Sequence, residues 1–261
     1  MKLEGITVLD LSLFLPGPAA TQLMADHGAR VIKVENPLAP EPTRSAEAFP
    51  WTQGGETVLF RNTQRGKESI ALNLKTTAGK NALLALAREV DVVVEAFRPG
   101  VAERLGIDYP TLSVKNPGLV YCSLSAFGQN GPWRDRPAHD TATVAAAGIL
   151  DLTRSPEGDS GPAIIGVPIA DMLSSYLALS GILMALHRRN TTGEGDFIDV
   201  SMFESVLAAS PNIMGPVFGG DQTPERLQER THGGNAMLNV YETADAQFIA
   251  LGGGCLLYTS D

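Results

Sequence analysis

The chain has 261 residues, 44% hydrophobic and 19% charged, with 27 glycines, 17 prolines and a formal net charge of -9. That suffices for one large core, or a core with a small appendage, and it is not the composition of a disordered segment. An acidic balance excludes a general nucleic-acid or anionic-membrane binder, because both need a positive field. It still allows a local cluster of Arg, Lys and backbone N–H groups to hold an anion. Cys122 and Cys255 offer neither metal spacing nor a disulfide framework. Cys122, in the apolar run Leu119–Cys122, reads as a buried thiol. The start MKLEGITVLDLSLF lacks the basic and long apolar stretches of a signal peptide. No uninterrupted apolar run is long enough to span a bilayer, so the expectation is a cytoplasmic protein that binds no membrane.

Ile6 to Leu11 reads as a strand, Ala19 to His27 as a helix closed by Gly28, and Ala29 to Val34 as a second strand. This is a unit of about 30 residues, the length of one βαβ crossover. The pattern recurs. Ser69 to Leu74 is extended, Thr77 to Arg88 helical and Val90 to Glu95 a buried strand; a helical stretch marked by Leu105 and Leu112 precedes the strand Leu119 to Leu124. Ala138 to Ile149 predicts a tightly packed helix, Asp151 to Ile164 a turn-rich loop, and Asp171 to Arg189 the longest helix. Phe197 to Ser201 is a further strand, and Tyr241 to Leu251 a hairpin turning at Ala244–Asp245. Alternation of this kind predicts an α/β fold: a doubly wound, mostly parallel sheet covered by helices, with ligands beyond the carboxyl ends of the strands.

Asp171 stands at the predicted start of the longest helix, where capping alone would account for a carboxylate. The apolar approach Gly166–Ala170 would also desolvate it, and burial raises a carboxyl pKa while a helix start lowers it. His139–Asp140, after Arg134–Asp135–Arg136–Pro137, is a second candidate, either a local hydrogen bond or an acid/base opposite Asp171. The histidines show no HExxH spacing, so no metal is expected. His27 and His187 read as helix-end residues. Arg61, Arg65, Lys67, Lys75, Arg98 and Arg104 are individually surface residues and together a set able to hold phosphates. Gly233–Gly234 is either a flap or a simple hairpin approach. No GxGxxG or GxxxxGK[ST] motif is present, which lowers nicotinamide and nucleoside-triphosphate readings.

The stretches GITVLDLSLFLPGPAATQLMADHGARVIKVENP, NLKTTAGK, VVVEAFRPGVAERLG, NPGLVYCSLSAFGQNGPWRDRPAHD and GVPIADMLSSYLALSGILMALHRRNTTGEGDFIDVSMFES resemble the class III coenzyme A transferase family, which also holds alpha-methylacyl-CoA racemases and carnitine CoA-transferases. The likeness runs from Leu3 to about Gly253. It implies a large coenzyme A-binding α/β domain over 1–205 and a linker with the beginning of a small domain over 206–253. Residues 254–261, a CLLYTSD-ended tail, read as non-native or disordered, and the chain as a shortened family member. The resemblance further implies an interlocked homodimer of the full-length protein and no tightly bound cofactor. Its substrates would be an acyl-coenzyme A thioester and a small carboxylic acid.

On the family pattern Asp171 matches the aspartate that carries the acyl group in transferases or acts as acid/base in racemases, with His139 its partner in the latter. Leu15 and Pro16 match the first active-site loop. Leu72, Asn73 and Lys75, then Ala96, Phe97 and Arg98, and Arg104 match positions around the nucleotide and pantetheine. Leu15 departs from the glutamine of formyl-CoA transferase, which argues against that oxalate-linked specificity, and Asn36 replaces an arginine that meets the nucleotide there. His139–Asp140 resembles the racemase pair, whereas the non-glycine run Met172–Ser175 resembles the transferases. Both activities, and a non-catalytic coenzyme A-binding fragment, stay open on sequence.

Overall fold

The computed structural model describes residues 1–154, 161–220, 223–224 and 234–252. Gly233 of the expected flap and the 254–261 tail lie outside the described residues. In chain order the elements are β1 (Thr7–Asp10), α1 (Pro16–Asp26), β2 (Arg30–Glu35), β3 (Thr52–Gln53), β4 (Glu56–Thr57) and α2 (Val58–Gln64). Then come β5 (Glu68–Ala71), α3 (Thr77–Leu86), β6 (Val92–Glu95), α4 (Val101–Leu105), α5 (Tyr109–Ser113) and β7 (Val120–Ser125). They are followed by α6 (Asp140–Ala146), α7 (Ile169–Thr192), β8 (Asp196–Ser201), α8 (Met202–Ala208), α9 (Pro211–Gly220), β9 (Val240–Glu242) and β10 (Phe248–Ala250). By contacts the chain divides into two compact units, Met1–Thr143 with Val167–Val206, and Val144–Gly166 with Leu207–Asp261.

The first unit is built on a six-stranded sheet in the order β5-β2-β1-β6-β7-β8, and every pairing in it is parallel. Successive side chains of a strand leave on opposite faces. Val8, Val31, Val92, Val94, Val120 and Cys122 therefore pack with Ala20 and Met24 of α1 and Ala178 and Ile182 of α7. Leu9, Ile32, Val34, Val93 and Tyr121 pack on the other face with Leu83 of α3, Ile107 and Leu112. Both faces of the inner strands are covered, which is why those strands read as continuous apolar runs rather than alternating ones. Each fully buried aliphatic side chain contributes about 1.5–3 kcal/mol to this packing.

Winding starts at β1 and proceeds outward in both directions, so the sheet is doubly wound as expected. The reversal falls between β1 and β6, whose following loops part at the carboxyl edge and open a crevice there. In the second unit, β9 and β10 form the expected antiparallel hairpin, with Ala246 at φ 58° in its turn.

Several elements differ from expectation for local reasons. The helix expected through Leu105 and Leu112 is two short helices, because Gly106 turns left-handed at φ 67°. α1 begins at Pro16, whose fixed φ suits a first helical position and whose missing N–H costs nothing there. α7 begins two residues before Asp171 and ends on Gly193, left-handed at φ 74°, whose N–H donates to the Arg189 carbonyl at 2.7 Å. His187 is thus inside α7 rather than at its end.

By length and composition α7 is long and apolar enough to cross a membrane, although Asp171 and three serines interrupt its apolar run. In the fold its face of Ser174, Ser175, Ala178, Ile182, Ala185 and Leu186 is buried. After α7 the chain squeezes past β7. A Cβ on Gly195 would lie 1.9 Å from the Leu119 carbonyl oxygen. Gly195→Ala should therefore cost about 1–3 kcal/mol or more, read as a lowered urea midpoint; an unchanged midpoint would show that this approach is loose.

Candidate active site

The loop after β1 rests on buried charge. Asp10 closes β1, and its carboxyl accepts from Ser12 and Thr21 and pairs with Lys67 Nζ at 2.9 Å. Burial alone would raise this carboxyl, but the ammoniums of Lys33 and Lys67 and hydrogen bonds from Ser12 and Lys67 hold it far below the usual carboxylate range. Lys33, the residue opposite Asp10 in β2, pairs with Glu41 at 3.1 Å and donates to the Ser12 carbonyl. Glu41 in turn accepts the Phe14 N–H at 2.9 Å. This network fixes Phe14 at φ 63°, a left-handed conformation that a bulky residue adopts only when its surroundings impose it.

Over that loop lies a cavity of about 630 Å³ at the carboxyl edge of the sheet. The loop after β1 lines it with Leu13, Phe14, Leu15 and Pro16, and the loop after β6 with Ala96, Phe97, Arg98 and Pro99. These are the two loops that part at the reversal of strand order. The segment after β7 supplies Arg134, Arg136 and His139, and α7 supplies Asp171. Phe127, Trp133 and Phe203 stack tilted or edge-on with centroids 5.3–5.8 Å apart and brace the β7 loop. Arg136 lies over the Trp133 ring at 4.8 Å. Three arginines thus line a cavity in a protein of net charge -9. This is the local cation cluster that the overall acidity left room for.

Asp171 is not the N-cap. Pro168 holds that position, and Asp171 sits in the first turn of α7. The Asp171 N–H instead donates to Asp140 Oδ1 at 3.1 Å, so a carboxylate from α6 caps α7 from outside. Among the described residues no donor or cation meets the Asp171 carboxyl itself. Burial first, and the Asp140 carboxylate second, push it up to about 7. His139 packs edge-on against Phe14, with ring centroids 5.9 Å apart. Phe14 was missed as a site residue, and Asp140, read only as part of the His139–Asp140 pair, was missed as the cap of α7. A phenylalanine signals no positive φ, and an aspartate beside a histidine does not reveal which helix it caps.

Of the expected positions, Leu15, Pro16, Ala96, Phe97, Arg98, His139 and Asp171 meet at this one cavity. Leu72, Asn73 and Lys75 do not line it. They follow β5 at the same carboxyl edge, with the Leu72 N–H on the Glu35 carbonyl and the Asn73 side chain accepting the Lys75 N–H. Arg104 stands just outside, where a Cβ on Gly100 would lie 3.3 Å from its Nη1 and 3.6 Å from Arg134 Nη2.

Lys67 is a correction: it is a buried partner of Asp10 rather than a solvated or phosphate-holding residue. Arg65 pairs with Asp26, and Arg61 donates to the Gln53 carbonyl. Cys122 is fully buried, and burial raises its thiol far above its ordinary value. Among the described residues no group of three or more His, Cys, Asp or Glu would hold a metal.

The site is thus a crevice at the winding reversal of a parallel sheet, lined by a desolvated aspartate and three arginines. The chain belongs to CoA-transferase family III, which it matches over residues 3–255. It is 37% identical to acetyl-CoA:oxalate CoA-transferase of Acetobacter aceti over 246 residues, 94% of this chain and 62% of that protein. It is likewise 37% identical to succinyl-CoA–D-citramalate CoA-transferase of Chloroflexus aurantiacus over 255 residues, 96% of this chain and 61% of the relative. Among solved structures, a CAIB/BAIF family protein from Brucella suis superposes with a TM-score of 0.82 at 32% identity, over 94% of this chain and 64% of that one. The chain therefore spans a little under two thirds of the length of the relatives it matches.

Proposed function

We propose that the whole protein is a CoA-transferase that moves coenzyme A from an acyl-coenzyme A to a small carboxylic acid through an acyl-aspartyl intermediate on Asp171. One observation carries the reading: the Asp171 carboxyl faces the cavity with no hydrogen-bond donor of its own among the described residues. A carboxylate left this way is poised for a partner from outside. An Asp171 oxygen attacks the thioester carbonyl, the C–S bond breaks, and the thiolate leaves with its electron pair. The thiolate then opens the resulting anhydride at the aspartyl carbonyl and releases the donor acid. The acceptor carboxylate displaces the thiolate from that aspartyl thioester to form a second anhydride. Attack of the thiolate at its acyl carbon yields the new thioester and restores Asp171. No step needs a proton donor.

The apolar wall of Leu13, Phe14, Leu15, Phe97 and Met202 keeps water from the anhydrides. Arg98, Arg134 and Arg136 hold the anionic parts of the substrates. On this reading residues 1–205 form the coenzyme A-binding domain, 206–253 lead into a smaller one, and the protein works in the cytoplasm as an interlocked homodimer. Leu72, Asn73, Lys75 and Arg104 extend the nucleotide path along the sheet edge beyond the cavity. Incubation of the whole protein with a panel of acyl-coenzyme A donors, followed by hydroxylamine trapping and peptide mass spectrometry, should place the modification on Asp171. Proven coenzyme A binding without any adduct across the panel would sink the mechanism.

His139 in the same cavity favours a second reading, alpha-proton transfer on a 2-methylacyl-coenzyme A between His139 and Asp171. That reading predicts deuterium uptake at the alpha carbon with no acceptor acid present, lost in His139→Ala. Retained exchange in the variant would remove it.

A further inference from the structure

Behind the Arg98 loop lies a polar cluster that acyl transfer does not use. Glu95 ends β6, is 3% exposed, and its Oε2 accepts the Phe97 N–H at 2.6 Å. Ser123 stands opposite it in β7 and hydrogen-bonds its carboxyl. Ser123 Oγ also accepts from Gln129 Nε2 at 2.8 Å, which leaves the serine O–H for Glu95. The Gln129 N–H donates to both oxygens of Asp199 in β8, at 3.1 and 2.9 Å. Its carbonyl accepts from Arg134 Nε at 2.9 Å. One run of hydrogen bonds therefore crosses the carboxyl ends of three adjacent strands. It joins the loop bearing Phe97 and Arg98 to the loop bearing Arg134.

Packing does not explain a carboxyl here. The other three residues of β6 are valines, and a fourth apolar side chain would avoid the penalty of burying an ionisable group. The ionisable groups acting on or beside Glu95 are Asp199, Tyr121 and Cys122, all acidic, so no ion pair offsets that penalty. What an apolar residue cannot do is accept one hydrogen bond from its own loop and another from the neighbouring strand.

We propose that Glu95 is a positioning residue that locks the loop after β6 to the loop after β7, and so sets the spacing of Arg98 and Arg134 for the phosphates of coenzyme A. The phosphate part of this inference rests on the coenzyme A reading above. Two measurements on the whole protein separate the two ideas. Amide exchange at Phe97, followed without ligand, should quicken about tenfold in Glu95→Ala. It should stay near the wild-type rate in Glu95→Gln, whose side-chain oxygen still accepts the N–H.

Calorimetric titration with coenzyme A should show affinity about tenfold weaker in Glu95→Ala and restored in Glu95→Gln, with kcat at saturating donor little changed. Gln129→Ala, which leaves Glu95 in place, should weaken coenzyme A binding in the same direction and covers the case in which Glu95→Ala does not fold. Wild-type exchange at Phe97 in Glu95→Ala, or wild-type affinity in Gln129→Ala, overturns the inference. A wild-type protein that fails to bind coenzyme A while showing the exchange pattern overturns the coenzyme A reading and leaves the loop lock standing.

Discussion

Asp171→Asn is expected to lower turnover about a thousandfold or more while coenzyme A binding is nearly kept, because on the proposed mechanism the variant removes the nucleophile and little volume. Initial rates with the best donor and acceptor, set beside a binding titration, check this. A variant with a tenth of wild-type kcat would exclude Asp171 as the acyl carrier. The wild-type pH profile gives a second reading of the same group. On the proposed mechanism only the carboxylate attacks, and burial with Asp140 nearby raises its pKa to about 7. The rate should therefore fall about tenfold per pH unit below that point. Asp140→Asn keeps an oxygen for the Asp171 N–H but removes the neighbouring charge, so this acid limb should move to lower pH. An unmoved limb would mean that another group titrates.

The second large effect lies beneath the first loop. Lys67→Met leaves buried Asp10 with Lys33 nearby and the Ser12 and Thr21 donors but without its direct ion pair, and removal of one partner of a buried pair costs about 3–5 kcal/mol. Urea unfolding should show that loss, and Asp10→Asn with Lys67→Met should lose less than the two single changes added together. A single-variant loss below about 1 kcal/mol would show the pair to be dispensable.

The same groups shape the pH dependence of stability. Asp10, depressed in the fold, stabilises above its ordinary 3.8, and that contribution is lost as pH falls through the lower folded value. Glu95 and Asp171 act with the opposite sign. Both are raised to about 7 from 4.5 and 3.8, so the folded chain holds their protons longer, and stability is lost as pH rises across that interval. Maximum stability should lie on the acid side of neutrality.

The strands were legible because a sheet covered on both faces writes itself as runs such as VVVE and TVLD, and the helices between them because their apolar periodicity changes. Their ends were less so, since Gly106 and Pro16 act through dihedral angles that depend on neighbours. Asp171 was legible as a helix-start aspartate after an apolar approach, and as a chemical group only through the family likeness. Lys67 was misread because its partner lies 57 residues earlier and meets it only through folding. Phe14 gave no sign at all, because the groups that force its conformation come from β1, β2 and the segment after β2.

The parallel sheet also has a timetable. Strand β8 pairs with β7, yet residues 126–195 must be synthesised between them. At about 5–20 residues per second a ribosome spends roughly 4–14 s on that stretch. Throughout it the nascent sheet ends in β7, VYCSLS, a six-residue strand without charge or proline. An open edge of that kind invites pairing with another chain. Strand β8 arrives bearing Asp196 and Asp199, and with it the growing sheet exchanges a sticky margin for one that repels its own copies.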